Sequence, residues 1–322
     1  MNNLRKPYGL VSHLSSGACT RSCVTVMSVA LLMSHPARVM AQTAGQLDST
    51  VLAATTVQPD GWVHYSKTLV DELDLNGKST HLVNGRLGID GTCTIGESGT
   101  VEAGSLGHYS EPIASSMRTC QEIVVSGELT PSAIARLASA AAAGPKGLAP
   151  MTGTAIRPMT SSVFPLATAT SKAYTGSRWV DPAFIVITAL TIDLSWQRSG
   201  SSVPSAGYTI KPYEFAWDGW GNSGTPHPPF TFGAGFVSVT AHEQFRNTDF
   251  EQLLLAISAA IPGGPATVIA ACGFDISPAI FDHTETLRGN ANGGYNWSYS
   301  DTKKGGCSNL VHHDNYNGFG VF

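Results

Sequence analysis

The sequence predicts a mainly β protein, antiparallel and sandwich-like, with two attached helices and two disulfides. Three observations predict it. Several segments alternate apolar and polar residues at the two-residue period of a strand. Short connections rich in Gly, Asn, Ser and Pro separate them, as suits antiparallel neighbours. Four cysteines remain once an N-terminal leader is set aside. The longest strand-like run, residues 183–196, places Phe184, Val186, Thr188, Leu190, Ile192, Leu194 and Trp196 on one face. Its other face is apolar only to Ala189 and then turns to Thr191, Asp193 and Ser195, the pattern of a strand that starts in a core and ends at a sheet surface.

Residues 1–41 read as a secretory leader. Arg5, Lys6 and Arg21 supply a basic region, residues 24–33 an apolar stretch of secretory length, and Val39, Met40 and Ala41 a cleavage signal ahead of Gln42. No later window of the 322-residue chain has the roughly eighteen uninterrupted apolar residues of a spanning helix. The leader holds four of the 19 basic residues and none of the 23 acidic ones, so the remainder carries a net charge of −8. That leaves no basic patch for nucleic acid or an anionic membrane.

An exported chain meets an oxidising compartment, so Cys93, Cys120, Cys272 and Cys307 are expected to form two disulfides. Of the three possible pairings, nearest neighbours are favoured: Cys93 with Cys120 and Cys272 with Cys307. Each pair brackets a compact stretch with turn residues inside it. No two of these cysteines stand at finger-like zinc spacing.

Taken in order, residues 42–60 form a polar leader to the fold and residues 61–144 an N-terminal β unit. Within it, β-capable runs at 62–75 and 79–89 flank Asn76-Gly77, which predicts a hairpin. A loop with a short strand follows over 91–107, then a strand at 121–125. The spacing predicts a helix over 130–143, with Thr130 as cap, Pro131 at the first helical position, Ile134 and Leu137 on one stripe, and Gly144-Pro145 as the stop. Residues 145–175, rich in Pro, Ser, Thr and Ala, read as a linker or crossing loop. Residues 176–322 then form a C-terminal sandwich-like unit, with strands around 183–196, 208–217, 230–240, 267–274, 284–287 and 295–300. A second helix is expected over 249–261: Thr248 and Glu251 form a capping box, and Phe250, Leu253, Ile257 and Ile261 share a face.

The aromatic clusters are the most suggestive functional signal. Trp217 and Trp220 stand in a Gly- and Pro-rich passage beside Asp218 and Asn222, and Tyr295, Trp297 and Tyr299 alternate along one strand face. Exposed, these rings would be platforms for sugar rings, with the polar residues supplying hydrogen bonds; buried, they would be core, where a large aromatic contributes most. No cofactor and no metal are expected. His312 and Asp314 are the nearest approach to a ligand pair, but neighbours on a strand point to opposite faces, so His312, His313 and Asp314 do not converge on one ion. His242-Glu243 resembles the start of a zinc-protease helix, yet Arg246 stands where the second histidine belongs. There is no Gly-x-Ser-x-Gly elbow.

These features favour an exported, non-catalytic binding or surface-associated β protein, with a glycan bound through exposed aromatics as the preferred ligand and a cell-surface protein as the other partner class. One alternative is a secreted hydrolase whose site is assembled from distant residues. The other is a structural or assembly component that binds a protein partner through its low-charge strand edges.

Overall fold

The computed structural model of the chain describes residues 55–57, 61–65, 68–116, 118–142, 151–156, 168–181, 186–215, 219–223, 230–250, 272 and 277–320. The leader at 1–41, Trp217, Asp218 and most of the helix expected over 249–261 lie outside the described residues. In chain order the first strands are β1 (Thr55–Val57), β2 (Trp62–Tyr65), β3 (Leu75–Asn84), β4 (Arg86–Leu87), β5 (Cys93–Val101), β6 (His108–Ser116), β7 (Gln121–Leu129) and β8 (Met151–Ile156). They continue as β9 (Ala169–Val180), β10 (Val186–Ser199), β11 (Ser202–Glu214), β12 (Trp220–Asn222), β13 (Thr231–Gly233), β14 (Phe236–Asn247), β15 (Ala279–Asn290), β16 (Tyr295–Lys304) and β17 (His312–Phe319). Two helices are described, α1 (Leu69–Glu72) and α2 (Pro131–Ala142).

The strands form two antiparallel sheets. One has ten strands in the order β1-β2-β6-β17-β9-β10-β11-β8, with β7 and then β3 continuing from the other edge of β6. The other has seven in the order β12-β14-β15-β16-β5-β4, with β13 also beside β14. β9, β10 and β11 of the larger sheet face β14, β15 and β16 of the smaller one, which makes the fold sandwich-like. Alternation explains the core between them: Leu190, Ile192, Leu194 and Trp196 of β10 meet Val237, Val239, Phe281 and Leu287. A smaller core lies on the outer face of the ten-stranded sheet. There Val70, Leu73, Ala133 and Leu137 of the helical segments cover Tyr109, Leu129, Tyr174 and Tyr316. α2 begins as its sequence predicts, with the Ala133 amide donating to Thr130 Oγ1 at 3.2 Å.

Both disulfides join the expected neighbours, Cys93 with Cys120 and Cys272 with Cys307. The first ties β5 of the smaller sheet to the start of β7 in the larger one. By loop-closure entropy the sequence separations of 27 and 35 residues are worth nearly the same, about 3.5–4 kcal/mol each. Cys93→Ala/Cys120→Ala and Cys272→Ala/Cys307→Ala should therefore lower the midpoint of urea unfolding by similar amounts. Equal midpoints in parent and variants would show that neither bridge restrains the unfolded chain.

Several local expectations are corrected. Asn76-Gly77 does not turn a hairpin: it lies inside β3, where Gly77 and Lys78 together oppose one position of β7, between the pairs Asn76 with Glu128 and Ser79 with Ser126. Gly77 takes the left-handed conformation (φ 61°) that a bulge needs as much as a turn does. The run at 62–75 is broken by α1, whose start is held by Asp71, its carboxylate accepting from the Thr68 hydroxyl at 3.1 Å. Part of the polar leader, β1, is a strand paired with β2.

The stretch at 145–175 contains β8 and the first half of β9, and strands from either side of it share both sheets: β5 pairs with β16 and β6 with β17. Low charge and small residues there reflect sheet strands as much as linker, because long-range pairing leaves no trace in local composition. The second face of β10 does not open to solvent at Asp193. That residue is buried and sits 2.6 Å from the Lys211 ammonium of the neighbouring strand β11, and Thr191 on the same face is hydrogen-bonded to the Tyr316 hydroxyl at 2.6 Å.

Candidate functional site

The structure brings Tyr295, Trp297 and Tyr299 onto one face, as the alternation predicts, and turns that face inward. They are 0%, 8% and 5% exposed. The Tyr295 hydroxyl donates to Asn317 Oδ1 at 2.9 Å and the Tyr299 hydroxyl to Glu97 Oε2 at 3.1 Å, so even their polar ends are used internally. Trp220 is also buried, its ring 5.0 Å from that of Phe281 and 5.4 Å from that of Phe250. These four rings are core and offer no platform to a sugar; the large apolar area of each is stabilising only out of water. Asn222 is half-buried on the short strand β12. Asn296, the asparagine of an Asn-Trp-Ser sequon, is tied to Thr100 and Asn290 by hydrogen bonds of 2.5 and 2.8 Å.

The residue types of a catalytic site do converge, but inside the sandwich. Ser177 and Thr188 come from β9 and β10, His283 and Glu285 from β15, Asp301 from β16 and His313 from β17. His283 Nε2 lies 3.0 Å from Thr188 Oγ1, and its Nδ1 lies 3.0 Å from Asp301 Oδ2 and 2.8 Å from Ser177 Oγ. His313 Nε2 reaches the same Asp301 oxygen at 2.8 Å, and the Thr284 amide donates to Asp301 Oδ1 at 2.9 Å. Hydroxyl, imidazole and carboxylate thus follow one another in the order of a hydrolase relay. Thr188, His283 and Asp301 are nevertheless 0% exposed or within rounding of it, so no substrate reaches the hydroxyl. The arrangement braces the two sheets against each other with hydrogen bonds that satisfy buried polar groups.

Electrostatics support the bracing role. Burial opposes ionisation of Asp301, but the His283 and His313 imidazoles outweigh it and hold the carboxyl below the usual range. Burial likewise opposes charging of His313, and the hydrogen bond and charge of Asp301 reverse this, raising its pKa. Glu285 accepts from Thr175 Oγ1 at 3.2 Å, and burial followed by the nearby Asp301 charge pushes its carboxyl well up.

A second buried network occupies the outer core and contains both metal candidates. Arg178 Nε and Nη2 donate to the two carboxylate oxygens of Asp314 at 2.7 and 2.5 Å, a bidentate pair. The Tyr109 hydroxyl lies 3.2 Å from Asp314 and from Glu111, and Glu111 accepts from the Val70 amide at 2.7 Å in the first turn of α1. His312 approaches Glu111 at 3.5 Å while His313 points to the opposite face of β17, as the strand geometry predicts. The Arg178 guanidinium in the carboxylate fork of Asp314 excludes a cation there. Among the described residues no three His, Cys, Asp or Glu side chains are arranged to hold a metal ion.

An open cleft enclosing about 470 Å³ lies where the start of β9, the ends of β10 and β17, and the β5–β6 and β15–β16 connections meet. Gly104, Ser171, Lys172, Arg198, Gly293 and Phe319 line it, with no carboxylate among the described residues of the wall. The Arg198 guanidinium lies against Gly293, whose left-handed backbone (φ 95°) and missing Cβ leave room for it: a Cβ there would fall 2.8 Å from Nη1.

Sequence reasoning singled out none of Lys172, Arg178, Arg198, Glu285 or Asp301. For Asp301 and Glu285 a signal was present. Asp301 shares the parity of Tyr295, Trp297 and Tyr299, and Glu285 that of Phe281 and Leu287, so an ionisable residue on an aromatic or aliphatic face marked a buried polar cluster. Lys172 and Arg198 carry no such mark: one is exposed and the other half-buried near strand ends. Among the described residues no helix is long and apolar enough to cross a membrane, and the two disulfides fit an extracellular or otherwise oxidising compartment. Comparison with protein-family models, with curated proteins and with solved structures finds no match to this chain.

Proposed function

We propose that this chain is exported and acts outside the cytoplasm as a binding or surface-associated protein rather than as a catalyst. The observation that carries this reading is the sealing of its chemistry. The hydroxyl–imidazole–carboxylate set at Thr188, His283 and Asp301 is enclosed between disulfide-tied sheets, whereas the open cleft presents cations, a hydroxyl and one ring without a nucleophile–base pair. Export is supported by the basic and apolar pattern of residues 1–41 together with the two disulfides. The reading keeps no role for the buried rings of Trp220, Tyr295, Trp297 and Tyr299 as sugar platforms.

The test is in two parts. Sequencing the N-terminus of protein recovered outside the cytoplasm is expected to give a start at Gln42. The purified chain is then offered ester, peptide and glycoside substrates, with no turnover expected. Turnover that disappears in His283→Gln while the thermal midpoint is kept would overturn the non-catalytic reading in favour of a hydrolase.

A further inference from the structure

Four Asn-Gly pairs occur in the chain, beginning at Asn76, Asn84, Asn292 and Asn317. Glycine after asparagine leaves the next amide nitrogen unshielded by a Cβ, so by local sequence all four are open to attack by that nitrogen on the asparagine side chain. The structure separates them. The Asn84 carboxamide oxygen accepts from Gln121 Nε2 at 2.7 Å, and the Gly85 amide donates to the Cys120 carbonyl at 2.8 Å. The Asn292 side chain accepts from the Gly294 amide at 3.0 Å, while the Gly293 amide donates to the Asn290 carbonyl, also at 3.0 Å. Asn317 is buried and accepts from the Tyr295 hydroxyl at 2.9 Å.

Asn76-Gly77 differs on each count. Both residues are exposed, and no hydrogen bond among the described residues holds the Asn76 carboxamide. Gly77 has a left-handed φ of 61°, and a Cβ built on it would meet no atom within 4 Å. The bulge adds freedom: Gly77 and Lys78 share one position of β7, so the backbone at Gly77 lies outside the regular pairing. β3 is also a terminal strand, paired with β7 alone.

We propose that Asn76 is a site of spontaneous modification, at which the folded chain converts its own asparagine to aspartate and isoaspartate. The Gly77 amide nitrogen gives up its proton and attacks Asn76 Cγ, a succinimide ring closes, and the side-chain nitrogen leaves as ammonia, taking up a proton. Solvent water then opens the ring at one of its two carbonyls. Cleavage of the bond from Cγ to nitrogen gives aspartate, and cleavage of the original peptide bond gives isoaspartate. Either product sets a carboxylate opposite Glu128 of β7, a like-charge pair across the ladder. Isoaspartate also lengthens the backbone by one methylene at the open edge of the sheet. The modification does not depend on the reading of the chain as a binding protein.

Peptide mapping by mass spectrometry, with isoaspartate detected by enzymatic methylation, tests this on the full folded chain held in mildly alkaline buffer. The peptide containing Asn76 is expected to gain one mass unit and to contain isoaspartate. Its conversion should be about tenfold faster or more than at Asn84, Asn292 and Asn317, the factor set by the ordinary hydrogen bonds that must open before those rings can close. In the chain reduced and unfolded in guanidinium the four should convert at similar rates, which assigns the difference to the fold. Asn76→Gln should keep the thermal midpoint and remove the fast conversion.

Equal rates at the four sites in the folded chain overturn the proposal. So does conversion of Asn76 to aspartate without isoaspartate, since that is direct hydrolysis with no succinimide.

Discussion

Asp301→Ala is expected to destabilise the protein by about 3–5 kcal/mol, the usual cost of removing one partner from a fully buried ionic network. That is a large part of the roughly 5–15 kcal/mol by which domains are stable. The effect is large because Asp301 is the hub: one oxygen serves His283, His313 and Ser177, and the other accepts the Thr284 amide. Its loss leaves two imidazoles and a serine hydroxyl to find partners in an interior with no solvent. Urea unfolding followed by circular dichroism measures it. A change below about 1 kcal/mol, the range of an exposed pair, would show that the network contributes little.

The same network sets a pH dependence. Asp301 is held below its unfolded value, so its contribution is present above the unfolded carboxylate range, near about pH 4, and is lost as pH falls through the folded value. His313 is held above its unfolded value, so its contribution is complete below about pH 6.5 and is lost as pH rises through the folded value. Glu285 is raised by burial, so its contribution also declines as pH rises, from the unfolded carboxylate range upward. The thermal midpoint should therefore peak in mildly acid solution. Asp301→Ala should flatten both limbs, since it removes the carboxylate and the cause of the histidine's shift. A variant profile parallel to the parent's would assign the pH dependence to other groups.

Ile192→Asp is expected to prevent folding. Ile192 is 0% exposed in the main core, near the middle of β10, between the partner strands β9 and β11. An aspartate there would be an unpaired buried charge, among the few single changes that exceed about 4–5 kcal/mol. Ile192→Val, which only trims a methylene, should cost about 0.5–1.5 kcal/mol. The yield of protease-resistant, disulfide-bonded protein separates the two. Folded Ile192→Asp protein in parental yield would mean that this face of β10 is not interior.

β10 also shows how far the sequence reached. Its alternation identified the apolar face, Leu190 to Trp196, because side-chain parity along a strand is a local property. Disulfide partners, the start of α2 and the shared face of Tyr295, Trp297 and Tyr299 were legible for the same reason: each depends on nearby residues and short loops. The fate of each face was not. Whether an aromatic stripe is a platform or a core depends on what lies opposite it, and for Tyr295, Trp297 and Tyr299 that is a sheet in which the nearby β17 is held between β6 and β9, strands more than a hundred residues away.

Asp193, read as the solvent end of β10, and Asn76-Gly77, read as a hairpin, fail on this point: Asp193 is buried against Lys211 of β11, and β7 converts the other into a bulge. The sequence by itself thus determined strand parity and the antiparallel β class, and it favoured, without fixing, the disulfide pairing that the structure shows. Only the tertiary structure decided which faces are interior and that Asp301 gathers two histidines, because both follow from non-local pairing between strands, which no local pattern encodes.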